Sequence, residues 1–341
     1  MYRKIIYLSL AALMGATIPA EAITRQQLMQ YAFSLKGLKG AELKTAMRSL
    51  LAPKTVLSYG STEQGTWWGF WYTDRDTVTQ ECINRYSSKK FYFSGHTGRA
   101  ISGMNIEHSF PKSWWGGDKN NAYKDLYNLY PSDQDGNSAK ANYPMAVVTN
   151  VKSEDPGYDK VGTGTVDGAT KPCWEPGDQY KGDFARAYMY MAIAYSNLTF
   201  SSTGLQTMSN SKDSKGNVYP GMKQWATDLY RSWSQQDLVS DLERTRNNAV
   251  AKIEGNRNLL VDYPYLAEYV WGDSVNVAFN PYTSITTADD DDRYMTPTAI
   301  IAPTLPQVQI QTPIYNMQGQ RVGADYRGIV ISRGKKIIKW K

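Results

Sequence analysis

The chain has 341 residues, 41% of them hydrophobic and 21% charged, with a formal net charge of +6. Its length leaves room for one large domain with its own core. Beyond the N-terminus no stretch reaches the roughly 18 apolar residues of a membrane span, which excludes an integral helical membrane protein. The positive charge does not argue for a nucleic-acid partner, because residues 314–341 carry +6 and residues 23–288 only +2.

Arg3 and Lys4, the apolar run Ile5 to Met14 and Ala20-Glu21-Ala22 have the order of a signal peptide, residues 1–22. An exported chain permits disulfides, so Cys82 and Cys173 are candidates for one bond that would close a long loop; two buried free thiols are the alternative. Residues 25–35 and 40–52 have helical spacing, with Leu43, Met47, Leu50 and Leu51 on one side. Trp67, Trp68, Phe70, Trp71 and Tyr72 form an aromatic run whose commoner role is packing and whose rarer one is stacking on bases. Strands are predicted over 89–94, 103–109 and 126–130, and a helix starting near Gly136 or Asn137. Phe184, Ala185, Tyr188, Met191, Ala192 and Tyr195 mark a helix over 181–197, with Arg186 off that stripe. Ser240 and Glu243 have the spacing of a capping box for a helix ending at Gly255. The predicted class is α+β, mainly helical.

The acidic run Asp289 to Asp292, followed by Pro297, Pro303, Pro306 and Pro313, predicts a linker over 289–313 and one large domain over 23–288. Residues 314–341 are short β-type runs broken at Gly319, Gly328 and Gly334. This tail resembles the C-terminal sorting signal of the bacterial type IX secretion pathway, which implies passage to the cell exterior or outer surface by that machinery.

The chemistry concentrates between Met104 and Asn142. His108, one of two histidines, follows Glu107 directly, and Asn137 and Asn142 come about thirty residues later in a polar, turn-rich segment. A base, an anionic oxygen ligand and neutral oxygen ligands are what a Mg²⁺-assisted attack on a phosphodiester requires. A zinc site would show several His or Cys at ligand spacing, and this segment has one His and no Cys. His96, in Ser94-Gly95-His96-Thr97-Gly98, has no such context.

These residues resemble the bacterial endonuclease I family, secreted nucleases with a His-Me finger, or ββα-metal, site. The matching positions are Asn105, Glu107, His108, Pro111 and Ser113, then Asp125, Leu126, Asn128, Leu129, Pro131, Ser132 and Asp133, closed by Asn137, Ser138 and Asn142. Two later blocks match as well, Trp174-Glu175-Pro176 with Lys181 to Tyr188, and Glu254 to Asn258 with Asp262-Tyr263-Pro264; Leu259 departs from the usual Pro. The resemblance implies His108 as general base, and Glu107 and Asn137 as ligands of Mg²⁺, with Ca²⁺ or Mn²⁺ as alternatives. Asn128 and Asn142 would brace the site. The family's phosphate-contacting arginine has no counterpart between 109 and 136, where only Lys112, Lys119 and Lys124 are basic. Arg186 is the replacement expected by motif, with Arg257 behind it; an internal ion pair of Arg186 is the other reading. The implied activity is a monomeric, exported endonuclease that cuts DNA or RNA without sequence preference and leaves 5′-phosphate and 3′-hydroxyl ends. Two other readings remain: a noncatalytic surface module binding nucleic acid or glycan, and a phosphoesterase for small substrates.

Overall fold

A computed structural model describes residues 22–294 and, in the tail, the strand residues 314–316, 321–322, 328–332 and 335–339. The expected signal peptide, residues 1–22, falls outside the described residues except for its last residue, and of the expected linker, residues 295–313 fall outside them. Two units are distinguished, Met1–Met295 and Thr296–Lys341.

Helix α1 (Arg25–Tyr31) opens with a complete capping box between Thr24 and Gln27, and α2 (Gly40–Leu51) buries Leu43, Met47 and Leu51. The aromatic run is a helix, α3 (Thr66–Thr73). Its periodicity divides the rings. Trp67 and Phe70 enter the core, while Trp68, Trp71 and Tyr72 stay half-buried and enclose the ring of His96. Strands β1 (Glu81–Cys82) and β2 (Phe91–Tyr92) form a minimal antiparallel pair.

Strand β3 (Met104–His108) pairs antiparallel with β4 (Leu129–Asp133), placing His108 opposite Leu129 and Met104 opposite Asp133. The second strand begins three residues later than the sequence predicts. The intervening chain is instead a turn held by the Asp125 carboxylate, which accepts from the Tyr127 backbone N–H at 2.7 Å. Helix α4 (Gln134–Lys140) follows β4 without a loop, because Asp133 ends the strand and caps the helix by accepting from the Gly136 N–H. Strands β5 (Asn150–Asp155), β6 (Asp159–Val166) and β7 (Ala169–Pro176) form an antiparallel meander.

Helix α5 (Lys181–Ala194) is buried at every position from Gly182 to Ala194, not along one stripe. It packs against α2 and against α6 (Gln224–Gln236). A helix enclosed on all sides must satisfy its polar side chains internally, which decides the fate of Arg186. Helix α7 (Asp241–Glu254) starts where Ser240 accepts from the Glu243 N–H and ends at Gly255, whose φ of 76° is the left-handed conformation that glycine adopts freely. The short helices α8 (Leu259–Asp262) and α9 (Leu266–Trp271) complete the first unit. The result is a mixture of helices and small antiparallel sheets, as the α+β reading requires. In the second unit, β8 (Ile314–Asn316), β9 (Arg321–Val322), β10 (Gly328–Ser332) and β11 (Lys335–Lys339) form one sheet in the order β11-β10-β8-β9.

Two expectations are corrected. Cys82 and Cys173 are both buried and free; they lie on strands of different sheets and in separate apolar clusters, so no bond links them. The acidic run is not linker. Asp289 pairs with Arg244 at 3.0 Å, Asp290 accepts from the Arg25 N–H at 2.6 Å, and Asp291 accepts from the N–H and hydroxyl of Thr286. The Tyr294 hydroxyl then accepts from the buried Val239 N–H at 2.7 Å. The packed chain therefore runs through Tyr294, past the expected boundary at 288. A protein ending at residue 288 should be less stable than one ending at 295 by about 2–4 kcal/mol, from several lost hydrogen bonds and the buried Tyr294 ring. Urea denaturation of the two truncations checks this, and equal midpoints would return the boundary to 288.

Candidate active site

Glu107 and His108 are the last two residues of β3, so their side chains leave the strand in opposite directions. Both are nevertheless buried, at 7% and 4% exposure. Two different elements enclose them.

On one side α4 faces Glu107. The Lys140 ammonium, itself fully buried, bonds Glu107 Oε1 at 2.8 Å. Burial pushes the Glu107 carboxyl above its ordinary range, and the Lys140 charge opposes that rise. Asn137 lies one turn before Lys140, on the same side of α4. It is half-buried, and its side-chain amide makes no hydrogen bond among the described residues.

On the other side His108 meets an aromatic wall. Its ring stacks on Tyr59 at 5.5 Å, lies 4.5 Å from the ring of Tyr123 and meets the edge of Trp115. His108 Nε2 is 2.9 Å from the Tyr123 carbonyl oxygen. A carbonyl only accepts, so Nε2 carries the hydrogen and Nδ1 keeps the lone pair. Burial, with the Lys112 charge second, lowers the His108 pKa to about 3, so the imidazole is neutral at any ordinary pH. Lys112 is exposed, with its ammonium 5.3 Å from the Tyr123 ring that His108 also touches.

The loop carrying Tyr123 is tied down from several directions. Asn128 donates to the carbonyls of Phe110 and Ala122 and accepts from the Phe110 N–H, joining the chain just after β3 to the chain just before β4. Asp125, fully buried, accepts from the hydroxyls of Tyr190 and Tyr195 on or next to α5. Arg246 of α7 donates to the Leu126 and Leu129 carbonyls and is held by Asp74, which also binds Arg85 at 2.6 Å. Asn142 reaches Ser113 at 3.2 Å.

The arginines singled out in the sequence lie elsewhere in this scheme. Arg186 is fully buried, and its donors are taken by Glu243 in a two-point pair at 2.7 and 2.6 Å, by Asp183, by Ser234 and by the Asp237 carbonyl. Four of its five N–H groups are hydrogen-bonded and the fifth faces Asp183 in an ion pair at 3.5 Å, so the fully buried guanidinium is committed to the fold. Arg257 forms a two-point pair with Asp262 at 2.8 and 2.7 Å. The block Gly255 to Asn258 is an internal knot: Asn256 donates to the Leu51 carbonyl, and Asn258 caps α8 and donates to the Arg186 carbonyl.

The residues that sequence reasoning missed are Lys140, Tyr59, Tyr123 and the Asp74–Arg246 pair. Only Lys140 carried a signal, its place one turn after Asn137 on a predicted helix.

The site thus offers a neutral imidazole with a free lone pair, and a carboxylate and an amide as oxygen donors. That donor set suits a hard divalent cation completed by water. Among the described residues no cluster of three His, Cys, Asp or Glu side chains forms a closed metal cage.

The sequence profile of endonuclease I matches residues 39–265, a span that holds every site residue named above. An extracellular ribonuclease of Bacillus subtilis is 29% identical over 240 residues, covering 69% of this chain and 76% of its own length. One from Bacillus amyloliquefaciens is 29% identical over 238 residues, with coverage of 69% and 75%. An extracellular deoxyribonuclease of Aeromonas hydrophila is 23% identical over 206 residues, covering 53% of this chain and 78% of its own.

Proposed function

This chain belongs to the endonuclease I family, and from that premise we propose that it is an exported, Mg²⁺-dependent endonuclease of a ββα-metal type. The observation that carries the reading is the imidazole of His108, fixed through Nε2 on the Tyr123 carbonyl next to a carboxylate with one oxygen uncommitted to Lys140. Fixing Nε2–H orients Nδ1 to take a proton from an attacking water, as a general base must. Glu107 and Asn137 would hold the divalent ion, which when bound offsets charge on the phosphate and the leaving oxygen. Of the three loop lysines, Lys112 has its charge felt by both Glu107 and His108. We assign it the phosphate contact that Arg186 is placed too deep to make.

A water nucleophile does not use the ribose 2′-hydroxyl, so one geometry serves DNA and RNA. The names of the relatives, ribonuclease for two and deoxyribonuclease for the third, support that breadth. Export rests on the signal-like N-terminus and on the extracellular relatives, and delivery through type IX machinery on the tail alone.

The experiment is cleavage of supercoiled plasmid and of a long RNA by purified protein, with Mg²⁺ and with EDTA, followed by end-group analysis. The reading expects metal-dependent nicking of both and 5′-phosphate ends. RNA products ending in 2′,3′-cyclic phosphate would mean attack by the 2′-hydroxyl and would remove His108 from the assigned role. Binding without cleavage would favour the surface-module reading.

A further inference from the structure

Lys140 has no part in the reaction proposed above, yet it is a fully enclosed charge at the site. Its side chain is fully buried and, among the described residues, its ammonium has one anionic partner, Glu107 Oε1 at 2.8 Å. The remaining face of the ammonium looks toward the Trp174 ring of β7 at 5.3 Å. A lysine is expensive to bury, and an anionic partner offsets part of that cost. Here the anion is the one carboxylate that the proposed function assigns to the metal.

A fixed positive charge on a metal-binding carboxylate has two physical consequences. It repels an incoming dication across a few ångströms of poorly screened protein, which weakens metal binding. It also supplies a countercharge whenever the metal is absent, so that Glu107 stays ionised and in place inside a buried site. The placement of Lys140 and Asn137 on one short helix couples the two effects, since α4 carries both the countercharge and a ligand.

We propose that Lys140 is a positioning residue, the standing counter-ion of Glu107, which holds that carboxylate ready in the metal-free protein and keeps the metal weakly bound and exchangeable. The inference rests on the assignment of Glu107 to the metal.

The test uses the mature full chain with Lys140→Met, which keeps the length of the side chain and removes its charge, and Lys140→Arg, which keeps the charge. Melting temperature is measured in EDTA and in saturating Mn²⁺, and Mn²⁺ affinity by calorimetry. Lys140→Met should melt lower than the parent in EDTA, bind Mn²⁺ at least about tenfold more tightly and show a larger metal-induced rise in melting temperature. Lys140→Arg should keep the parent's affinity to within about threefold. A Lys140→Met protein that loses the same stability with and without Mn²⁺, at unchanged or weaker affinity, would make Lys140 a packing residue and overturn the inference. If the parent chain binds no Mn²⁺, the metal assignment falls and the inference with it. Folding of Lys140→Met only when Mn²⁺ is present is the extreme form of the expected result. Failure to fold under both conditions is resolved by Glu107→Gln/Lys140→Met, where neither charge remains. If that double variant also fails to fold, the lysine is needed for packing and the inference is wrong.

Discussion

His108→Ala should reduce the rate of plasmid cleavage by roughly 10²–10⁴-fold while leaving divalent-metal affinity nearly unchanged. The two parts of this expectation come from the two sides of β3. The imidazole faces Tyr59, Tyr123 and Trp115 and is tied to the Tyr123 carbonyl. The oxygen donors Glu107 and Asn137 belong to the side closed by α4. Removing the ring takes away the base and leaves the donors. Loss of its aromatic contacts should lower stability by about 1–3 kcal/mol, so circular dichroism and a thermal melt are needed beside the rate. The pH profile provides an independent reading. Burial holds the His108 pKa near 3, well below the 6.5 of a free imidazole. Protonation is what silences a general base, and a lowered pKa moves that loss to lower pH. A bound dication nearby would move it lower still. The acid limb of kcat/KM should therefore lie clearly below pH 6.5. Folded His108→Ala protein that cuts at a near-native rate would sink the base assignment, and an acid limb near 6.5 that disappears in the variant would show the ring to be solvated during turnover.

How far the site could be read from the chain follows from what local spacing encodes. Glu107-His108 at the end of a predicted strand, and Asn137 on a predicted helix, are local facts, and β3, β4 and α4 put them on consecutive elements. The sheet β5–β7 was also within reach: Asp167-Gly168 is a two-residue hairpin turn, both residues with positive φ at 51° and 76°, between the paired residues Val166 and Ala169. Glycines at 162 and 164 disguise the strand, because Gly162 sits against the Asn150 carbonyl and Gly164 against the Val147 carbonyl with no room for a side chain. The place of Lys140 on the helix is legible, but its burial is not. The run Gln134 to Lys140 contains no apolar stripe and reads as a solvated helix. It is Trp174, distant in sequence, that helps to enclose its end. The same limit applies to charge pairs. Asp74 finds Arg246 across 172 positions and Arg186 finds Glu243 across 57. Periodicity can say that Arg186 lies off the apolar stripe of α5, but not that a second helix covers that face too.

That last pair sets the other large effect. Arg186→Met should destabilise the protein by about 3–5 kcal/mol, because it leaves the Glu243 carboxylate buried without its partner. Glu243→Met should do the same by stranding the guanidinium. The double variant Arg186→Met/Glu243→Met leaves no unpaired charge of that pair, and two unbranched apolar chains refill much of the volume. It should be more stable than either single variant by about 2 kcal/mol or more. Recovery will be partial, since the guanidinium also serves Asp183, Ser234 and the carbonyl that ends α6. Activity separates this structural role from the catalytic one that the sequence motif suggests. A fully buried group paired inside the fold does not meet substrate, so the folded double variant should cut plasmid within about tenfold of the parent. A group that clamped the cleaved phosphate would behave differently. The double variant would then regain its fold and remain slower by 10²-fold or more, a loss on the order of 3 kcal/mol in transition-state stabilisation. Urea melts and cleavage rates on the same three proteins decide between the two, because only the catalytic role lets stability return without activity.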